Sequence, residues 1–245
     1  MKKLSDIEYA SGRLLDLYLP DTNHFPLYVF FHGGGLTAGD RSHADYFAPE
    51  LTEAGIAIAS VEYRMYPEAK FPDYIDDAAA SIAFMTSEIR KYGVYEKLIV
   101  GGSSAGGYLS MMLCFNDEYL NRVGMSPSQV DGWIHDAGQP TVHFTVLKNS
   151  GMDSRRVVVD ERAPLYWIGP DKSYSRMLFL ASDNDIPSRL EQTQLVLSTL
   201  RHFGVPEETF RLQIMHSDHC RYCFDKTPEG KNIFSQVAIP FIRSL

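Results

Sequence analysis

A serine set among glycines, directly after an apolar run, is the first feature of this chain that suggests chemistry. The stretch VGGSSAGG at residues 100–107 contains the pattern Gly-x-Ser-x-Gly with Ser104 at its centre. At a sharp turn between a strand and a helix, this pattern strains the central serine and exposes its hydroxyl, and the following helix directs its positive end toward the site. The pattern predicts Ser104 as a nucleophile. An ordinary strand-to-helix turn is the alternative interpretation of the motif alone.

The same stretch does not fit a phosphate-binding loop. Aligned from Gly101, a dinucleotide-binding Gly-x-Gly-x-x-Gly loop would have Ser103 at its second glycine. A P-loop would end in Gly-Lys-Ser or Gly-Lys-Thr, whereas this stretch contains no lysine. Both phosphate-binding interpretations therefore fail on the residues themselves.

A second glycine-rich stretch lies upstream, in FFHGGGLTAGD at residues 30–40. An HGGG loop after a strand supplies backbone N–H donors to an oxyanion hole, and glycine lets the backbone turn its amides toward the substrate. The expected donors are the amides of Gly33 and Gly34, joined by that of Ala105. A flexible glycine turn would not explain a Gly-x-Ser-x-Gly turn at the matching distance downstream, so the two stretches together favour a serine hydrolase.

A nucleophilic serine needs a histidine as its general base and a carboxylate that orients the histidine. With this kind of turn, the order along the chain is Ser, then Asp or Glu, then His. Asp183 and Asp185 follow the predicted strand RMLFLAS. His216 and His219 follow the next predicted strand. The order predicts one catalytic residue from each pair. The spacing favours Asp185 as the acid, with Asp183, two residues away, as the alternative.

The segment HSDHCRYC, at residues 216–223, carries residue types that suit zinc. A structural zinc site usually joins two separated pairs of ligands, whereas these four would come from one short segment. We therefore expect no metal. Cys220 and Cys223 are instead expected to be small packing residues near the base.

Composition argues against several classes of protein. The 245 residues carry a formal net charge of −8 with no basic tract, which argues against nucleic acid or an anionic membrane surface as a partner. No apolar run approaches the ~18 residues that span a bilayer, and the N-terminus lacks the apolar core of a signal peptide. An odd number of cysteines, 3, favours a reducing compartment. The expected location is the cytoplasm.

Apolar runs and turn signals alternate at the spacing of strand–helix units. The predicted strands are RLLDLYLP, LYVFF, IAIASVEY, KLIVGG, GWIHDAG, RMLFLAS and ETFRLQIMH. The predicted helices are DYIDDAAASIAFMTSEIRKYG, AGGYLSMMLCF, RLEQTQLVLSTLRHFG and NIFSQVAIPFIRSL, the last interrupted at Pro240. This alternation predicts an α/β protein with a mostly parallel central sheet, helices on both faces and ligands at the carboxyl ends of the strands. We expect one domain over residues 1–245, in which an irregular segment at about 139–175 is a candidate lid.

The blocks HGGG, YRMYPEAKFPDYIDD and GGSSAGG resemble those of α/β-hydrolases, specifically serine carboxylesterases of the hormone-sensitive-lipase family. The resemblance covers most of the chain from about Leu14 and implies the α/β-hydrolase fold. It implies Ser104 as nucleophile, His219 as base and Asp185, at the position of the family's Gly-x-x-Asp aspartate, as the acid. About two dozen residues precede the strand before HGGG in this sequence, so the long helical N-terminal cap of the lipase group is not expected. In this respect the chain is more similar to small feruloyl or acetylxylan esterases and to arylformamidases.

These features together predict hydrolysis of short-chain carboxylic esters through an acyl-enzyme, with no metal or organic cofactor. The expected partner is a small-molecule ester or amide, and the oligomeric state stays open. An amidase or formamidase would use the same residues, and a ligand-binding protein could keep the fold without catalysis. Phe144, Tyr166 and Trp167, in the irregular segment, are candidates for the substrate pocket, with a buried core position as the alternative for each.

Overall fold

A central sheet of eight strands organises the computed structural model, which describes residues 1–170 and 172–245. The strands are β1 (Lys2–Ala10), β2 (Arg13–Leu19), β3 (His24–Phe31), β4 (Ala57–Val61), β5 (Val94–Ser103), β6 (Gly132–Asp136), β7 (Arg176–Asn184) and β8 (Phe210–Asp218). The α-helices are α1 (Ala48–Glu53), α2 (Asp73–Glu88), α3 (Ala105–Phe115), α4 (Asp117–Arg122), α5 (Phe144–Asn149), α6 (Arg189–His202) and α7 (Ile233–Arg243). Short 3₁₀ helices lie in the connections, among them Arg41–Tyr46, Pro164–Trp167 and Arg221–Cys223.

The order of strands in the sheet is β1-β2-β4-β3-β5-β6-β7-β8. Every neighbouring pair from β4–β3 to β7–β8 is parallel, while β2 runs antiparallel to both β1 and β4. The mostly parallel sheet predicted from the sequence is confirmed. The sequence did not predict β1, because this edge strand is mostly exposed and irregularly paired, and so lacks the apolar alternation of an inner strand.

The core lies on both faces of the sheet, as the prediction of a doubly covered sheet requires. Alternate residues of β3 point to opposite sides, so Val29 and Phe31 join one apolar cluster while Tyr28 and Phe30 join the other. The first cluster contains the buried side chains of α2, α3 and α6, and the second contains those of α1 and α7. Because both faces are covered, the loops at the carboxyl ends of the strands are the part of the sheet left open to a ligand.

Helix α7 continues through Pro240, so the predicted interruption is wrong. Proline donates no N–H to the carbonyl four residues earlier, that of Gln236, and both residues are exposed, so water can satisfy this carbonyl. The apolar face of the helix, including Phe234 and Phe241, stays packed against the sheet. Tertiary packing therefore outweighs the local preference of proline.

The segment 139–175 contains α5 and the 3₁₀ helix Pro164–Trp167, and its residue 171 lies outside the described residues. Several hydrogen bonds tie it to the rest of the molecule, and two of them lie near the glycine-rich stretches. The hydroxyl of Thr145 donates to the carbonyl of Gly35 at 2.5 Å, and that of Tyr108 donates to the carbonyl of Arg162 at 2.7 Å. The segment is thereby bonded to the HGGG loop and to helix α3, which follows the serine turn.

No helix in the described part of the chain combines the length and the apolar character needed to cross a membrane.

Candidate active site

Ser104 stands at the sharp turn between β5 and α3. Its backbone has φ 56° and ψ −109°, a conformation that residues other than glycine rarely adopt. Glycine is required at position 106, because a Cβ there would lie 1.9 Å from the carbonyl oxygen of Phe31. The N–H of Ser104 donates to the carbonyl of Asp136 at 2.7 Å. Close backbone contacts on both sides thus hold the serine in its strained conformation at the carboxyl edge of the sheet.

A continuous chain of hydrogen bonds joins the side chains of Ser104, His219 and Asp185. The hydroxyl of Ser104 donates to Nε2 of His219 at 2.8 Å, and Nδ1–H of His219 donates to Oδ1 of Asp185 at 2.5 Å. These are the three residues that the family resemblance implied. The arrangement can move a proton from Ser104 to the imidazole while the carboxylate holds the ring in the required tautomer.

Asp185 is nearly inaccessible, with 2% of its side chain exposed. Burial opposes its ionisation, but the hydrogen bond and charge attraction of His219, together with the backbone N–H groups of Ile186 and Ser182, outweigh burial and lower its pKa. Asp185 is therefore a carboxylate at neutral pH. A carboxylate in this place can both orient His219 and stabilise its protonated form.

The alternative residues in the sequence, Asp183 and His216, form a separate pair on the surface. Nδ1–H of His216 donates to Oδ2 of Asp183 at 2.6 Å, and the N–H of Ser217 donates to the same carboxylate at 3.2 Å. The side chain of His216 is 90% exposed. Neither residue is bonded to Ser104, so the structure brings Asp185 and His219, and not this pair, to the serine.

The glycines of the HGGG loop and Ala105, predicted from the sequence as amide donors, belong to backbone segments next to Ser104. A Cβ built on Gly33 would be 3.3 Å from Cβ of Ser104, so the HGGG loop touches the serine directly. Gly34 has φ +120°, and a Cβ there would lie 1.8 Å from the carbonyl oxygen of Ala38, which only glycine avoids. Ala105 begins α3, where the first N–H groups have no partner within the helix. The HGGG loop and the start of α3 therefore both lie beside Ser104.

His32, the first residue of the HGGG loop, holds the loop in place from the protein interior. It is buried, its ring stacks on that of Tyr63 with centroids 4.5 Å apart, and its Nδ1–H donates to the carbonyl of Gly33 at 2.7 Å. Burial lowers the pKa of His32, which keeps the ring neutral at neutral pH. We interpret His32 as a support for the loop and not as a proton carrier.

A cavity of about 680 Å³ opens directly above Ser104 and His219. Its walls include Thr37, His43, Tyr46, Phe144, Ile186 and Phe224. The ring of His43 stacks on that of Phe224 with centroids 4.6 Å apart, and Tyr46 meets Phe224 edge to face. Tyr46, Ile186 and Phe224 are exposed large apolar side chains at its border. The cavity is thus mostly apolar and partly aromatic.

Of the three aromatic residues predicted for the substrate pocket, Phe144 lines the cavity, while Tyr166 and Trp167 do not. They belong to the 3₁₀ helix Pro164–Trp167, which packs on α3 away from the serine turn. The indole N–H of Trp167 donates to the carbonyl of Glu161 at 2.9 Å, and the side chain of Tyr166 is exposed. The prediction for these two residues is corrected: Tyr166 lies on the surface, and Trp167 is half-buried against the apolar core.

The cysteines of the HSDHCRYC segment are buried beside the site. Sγ of Cys220 is 3.7 Å from Nε2 of His219, and Sγ of Cys223 donates to Oδ2 of Asp136 at 3.3 Å. Burial raises the pKa of both thiols, so both stay protonated at neutral pH. Within residues 1–170 and 172–245, no group of three or more His, Cys, Asp or Glu side chains is placed to hold a metal ion.

Sequence analysis missed the buried carboxylate of Asp136, at the end of β6. It accepts hydrogen bonds from the hydroxyls of Ser103, at 2.5 Å, and Tyr222, in addition to the thiol of Cys223. The one signal in the sequence was its position, an acidic residue closing the apolar strand GWIHD at the edge where the site forms. The wall residues Thr37, His43, Tyr46, Ile186 and Phe224 were also missed, because loop residues have no periodic pattern.

Comparison with known families identifies a match over more than half of the chain. The BD-FAE family model matches residues 15–146, a range that includes the HGGG loop and the serine turn. The carboxylic ester hydrolase LipN of Mycobacterium tuberculosis is 35% identical over 129 residues, which are 51% of this chain and 33% of LipN. Lipase 2 of Moraxella sp. is 24% identical over 202 residues, 80% of this chain and 44% of the lipase. The chain thus spans less than half the length of these two curated relatives.

Solved structures match the fold over the whole chain. A truncated carbohydrate esterase from gut microbiota superposes with a TM-score of 0.78 at 19% identity, covering 100% of this chain and 96% of that one. An esterase of the archaeon Pyrobaculum calidifontis superposes with a TM-score of 0.76 at 20% identity, covering 99% and 85%. At this level of identity the superpositions bear on the fold, and they confirm the α/β-hydrolase fold.

Proposed function

The chain belongs to the BD-FAE family, and from that premise we propose that it is a serine hydrolase that cleaves short-chain carboxylic esters through an acyl-enzyme. The observation that carries the proposal is the unbroken hydrogen-bond chain from Ser104 through His219 to Asp185, with the serine in a strained turn. The ester hydrolase names of the curated relatives support the same reaction. A pure ligand-binding protein would have no need of this chain.

In the proposed reaction, Oγ of Ser104 attacks the acyl carbon as Nε2 of His219 takes the serine proton. The tetrahedral intermediate collapses when the protonated His219 donates this proton to the leaving alcohol. Water then attacks the acyl-enzyme as His219 takes its proton, and His219 returns this proton to Oγ of Ser104 when the bond between the acyl carbon and Oγ breaks and the carboxylic acid is released. Throughout, the carboxylate of Asp185 keeps the ring in one orientation and balances the positive charge that develops on it.

The amides of Gly33, Gly34 and Ala105 are proposed to donate to the oxyanion of the tetrahedral intermediate. They belong to rigid backbone, so they need no reorganisation when the charge forms on the substrate oxygen. The loss of one such donor in a comparable site costs about 3–4 kcal/mol of barrier. Ala105 contributes at the N-terminus of α3, where the helix dipole also favours negative charge.

The cavity supports small, uncharged esters as the substrate class. Because its border of Tyr46, Ile186 and Phe224 is open to solvent, a long acyl chain would stay partly in water and gain much less than the ~0.8 kcal/mol of a fully buried CH₂. Among the described residues of its wall, Asp40 supplies a carboxylate and no lysine or arginine occurs. We therefore propose that acetyl to butyryl esters are preferred, and that esters with a carboxylate in the acyl chain are poor substrates.

Labelling with a fluorophosphonate tests the assignment of the nucleophile. We expect one covalent adduct per chain on the peptide that contains Ser104, because only this hydroxyl is bonded to the base. Ser104→Ala should abolish labelling, while Ser110→Ala, which removes a buried hydroxyl of α3, should retain it. An adduct on Ser103, or an adduct that survives Ser104→Ala, would contradict the proposal.

A series of p-nitrophenyl esters tests the substrate class. Values of kcat/KM should be highest between acetyl and butyryl and fall toward the dodecanoyl ester. An ester of succinic acid with a free carboxylate should be slower than the butyryl ester, and Asp40→Asn should narrow that gap. Faster hydrolysis of the dodecanoyl ester, or of matched amides, would refute short-chain ester hydrolysis.

A further inference from the structure

We propose that Asp136 is a positioning residue, which sets the approach of Ser104 to His219 by joining the loops that carry the triad. This inference rests on the proposed function. It concerns a residue that touches neither the cavity nor the reacting atoms, and that acts through the serine turn and the histidine loop.

The side chain of Asp136 bridges two of these loops. Asp136 is fully buried, with 0% of its surface exposed, and lies at the carboxyl end of β6. One carboxylate oxygen accepts the hydroxyl of Ser103, the residue before the nucleophile. The other accepts the hydroxyl of Tyr222, three residues after His219, and the thiol of Cys223 donates to the first. One carboxylate therefore holds the turn of the nucleophile and the loop of the base at a common point.

The backbone at the same position completes the connection. The carbonyl of Asp136 accepts the N–H of Ser104 at 2.7 Å. The carbonyl of the next residue, Ala137, accepts Nη1–H of Arg189 at 2.6 Å. Arg189 is buried and lies four residues after Asp185, at the start of α6. The dipeptide Asp136–Ala137 is thus bonded to the chain near each member of the triad.

The energetics indicate that this carboxylate is there for geometry and not for stability. Removing a carboxylate from water is costly, and an apolar side chain of similar volume often stabilises a core as well or better. Burial accordingly raises the pKa of Asp136, against the opposing effect of its hydrogen bonds from Ser103, Tyr222 and Cys223. A carboxylate fixes the orientation of its partners, because each hydrogen-bond donor must point at one of its oxygens. An apolar side chain imposes no such orientation.

Direction at this point matters for the rate. A displacement of about 1 Å between reacting groups can cost on the order of 10²-fold in rate. Of the residues that line the cavity, Ser103 is hydrogen-bonded to the side chain of Asp136, whereas the HGGG loop and the aromatic wall are not, so substrate binding should change little. A positioning role therefore predicts a fall in kcat with an almost constant KM.

The principal test compares the wild-type protein with Asp136→Asn, which keeps the shape of the side chain and removes its charge. We expect kcat for p-nitrophenyl butyrate to fall about 10- to 100-fold with KM within about twofold. The rate of fluorophosphonate labelling at Ser104 should fall in parallel, because it reports the same serine–histidine pair. Circular dichroism and thermal melting establish that the variant is folded.

Two further variants keep the test decisive. Tyr222→Phe removes one donor and leaves the carboxylate, and it should lower kcat by a smaller factor, about 3- to 10-fold, even if Asp136→Asn does not fold. Ser110→Ala is the matched control. It removes a hydrogen bond of 2.9 Å to Nδ1 of His135, which is buried between the same helix α3 and strand β6. It should lower Tm and leave kcat unchanged.

The inference is overturned if folded Asp136→Asn and Tyr222→Phe both label and turn over at the wild-type rate. It is equally overturned if Ser110→Ala loses as much kcat as they do for the same loss of Tm, because the role of Asp136 would then be structural. These outcomes are distinct from a failure of the proposed function, in which the wild-type protein itself neither labels at Ser104 nor hydrolyses esters.

Discussion

Two aspartate–histidine pairs join the ends of β7 and β8, and they differ in their surroundings more than in their chemistry. In each pair Nδ1–H of the histidine donates to the carboxylate, at 2.6 Å in His216–Asp183 and at 2.5 Å in His219–Asp185. Exposure separates them. The side chains of His216 and Asp183 are 90% and 44% exposed, whereas those of His219 and Asp185 are 23% and 2% exposed.

The comparison shows that an aspartate–histidine hydrogen bond is not by itself a catalytic device. On the surface, water competes for both partners and salt screens their charges. The pair His216–Asp183 is therefore expected to add little to the stability of the protein or to the rate of the reaction. Beneath the cavity, the second pair is fixed by the N–H groups of Ile186 and Ser182, and its free ring nitrogen meets Ser104. Burial and the third partner convert the same two residue types into a base with a defined orientation.

The largest expected effect comes from removing each histidine in turn. His219→Ala should lower kcat on the order of 10⁶-fold, the loss seen when a triad histidine is removed from a serine protease. His216→Ala should leave kcat within about twofold. The ring of His216 is exposed, and among the described residues its one hydrogen-bond partner is Asp183. Steady-state kinetics on p-nitrophenyl acetate measure both. Equal losses in the two variants would end the distinction between the pairs.

Replacing the aspartates should give the same contrast at a smaller scale. Asp185→Asn should lower kcat about 10⁴-fold, because an amide favours the wrong tautomer of His219. Asp183→Asn should have little effect on kcat. Circular dichroism of both variants controls for folding. If Asp183→Asn proved to be the inactive variant, the acid would have been placed two residues from its true position.

The smallest expected effect concerns stability against pH. The pKa of Asp185 is lowered from its ordinary value of 3.8, so the folded state binds this proton less tightly than the unfolded state. Its contribution to the free energy of unfolding is therefore present above the ordinary pKa and is lost as pH falls through the lowered pKa.

Urea unfolding at about pH 6 and about pH 3 measures this contribution by comparing the wild type with Asp185→Asn. The difference between the two proteins should shrink at the lower pH and should persist in about 1 M salt, because Asp185 is shielded from ions. The pKa of the exposed Asp183 is also lowered, chiefly by His216. Any stabilising effect of that pair should disappear in salt. A difference for Asp185→Asn that grows as the pH falls would contradict the sign.

Sequence patterns predicted the elements around the site closely, and the reasons are local. The helix AGGYLSMMLCF coincides with α3 (Ala105–Phe115), because a strained glycine turn determines where it begins. The inner strands are apolar on both faces and stand out as continuous runs. The exceptions were the edge strand β1, the six-residue helices α1, α4 and α5, and the course of α7. Exposure hides the pattern of β1, helices this short hold too few residues to show a periodic pattern, and packing carries α7 through Pro240.

The choice between Asp183 and Asp185 could not be decided from residue patterns alone. Both residues have the same parity along β7, so simple alternation would direct them to the same face. The pairing of β7 with β8 is irregular between Ser182 and Asn184, and the strand extends to Asn184, beyond its predicted end. An irregular pairing is set by the partner strand and leaves no mark in the residue types. The spacing therefore favoured Asp185 but kept Asp183, two residues away, as the alternative.

The amino-acid sequence by itself determined the alternation that builds the parallel sheet, the glycines that the sharp turns require, and the order of serine, acid and base along the chain. These follow from local sterics and from the periodicity of apolar residues. Only the tertiary structure decided which aspartate and which histidine meet Ser104, that Tyr166 and Trp167 lie outside the cavity, and that Asp136 connects the loops of the site. Those outcomes depend on burial and on contacts between residues distant in the chain, and such contacts exist only once the sheet and its loops have packed.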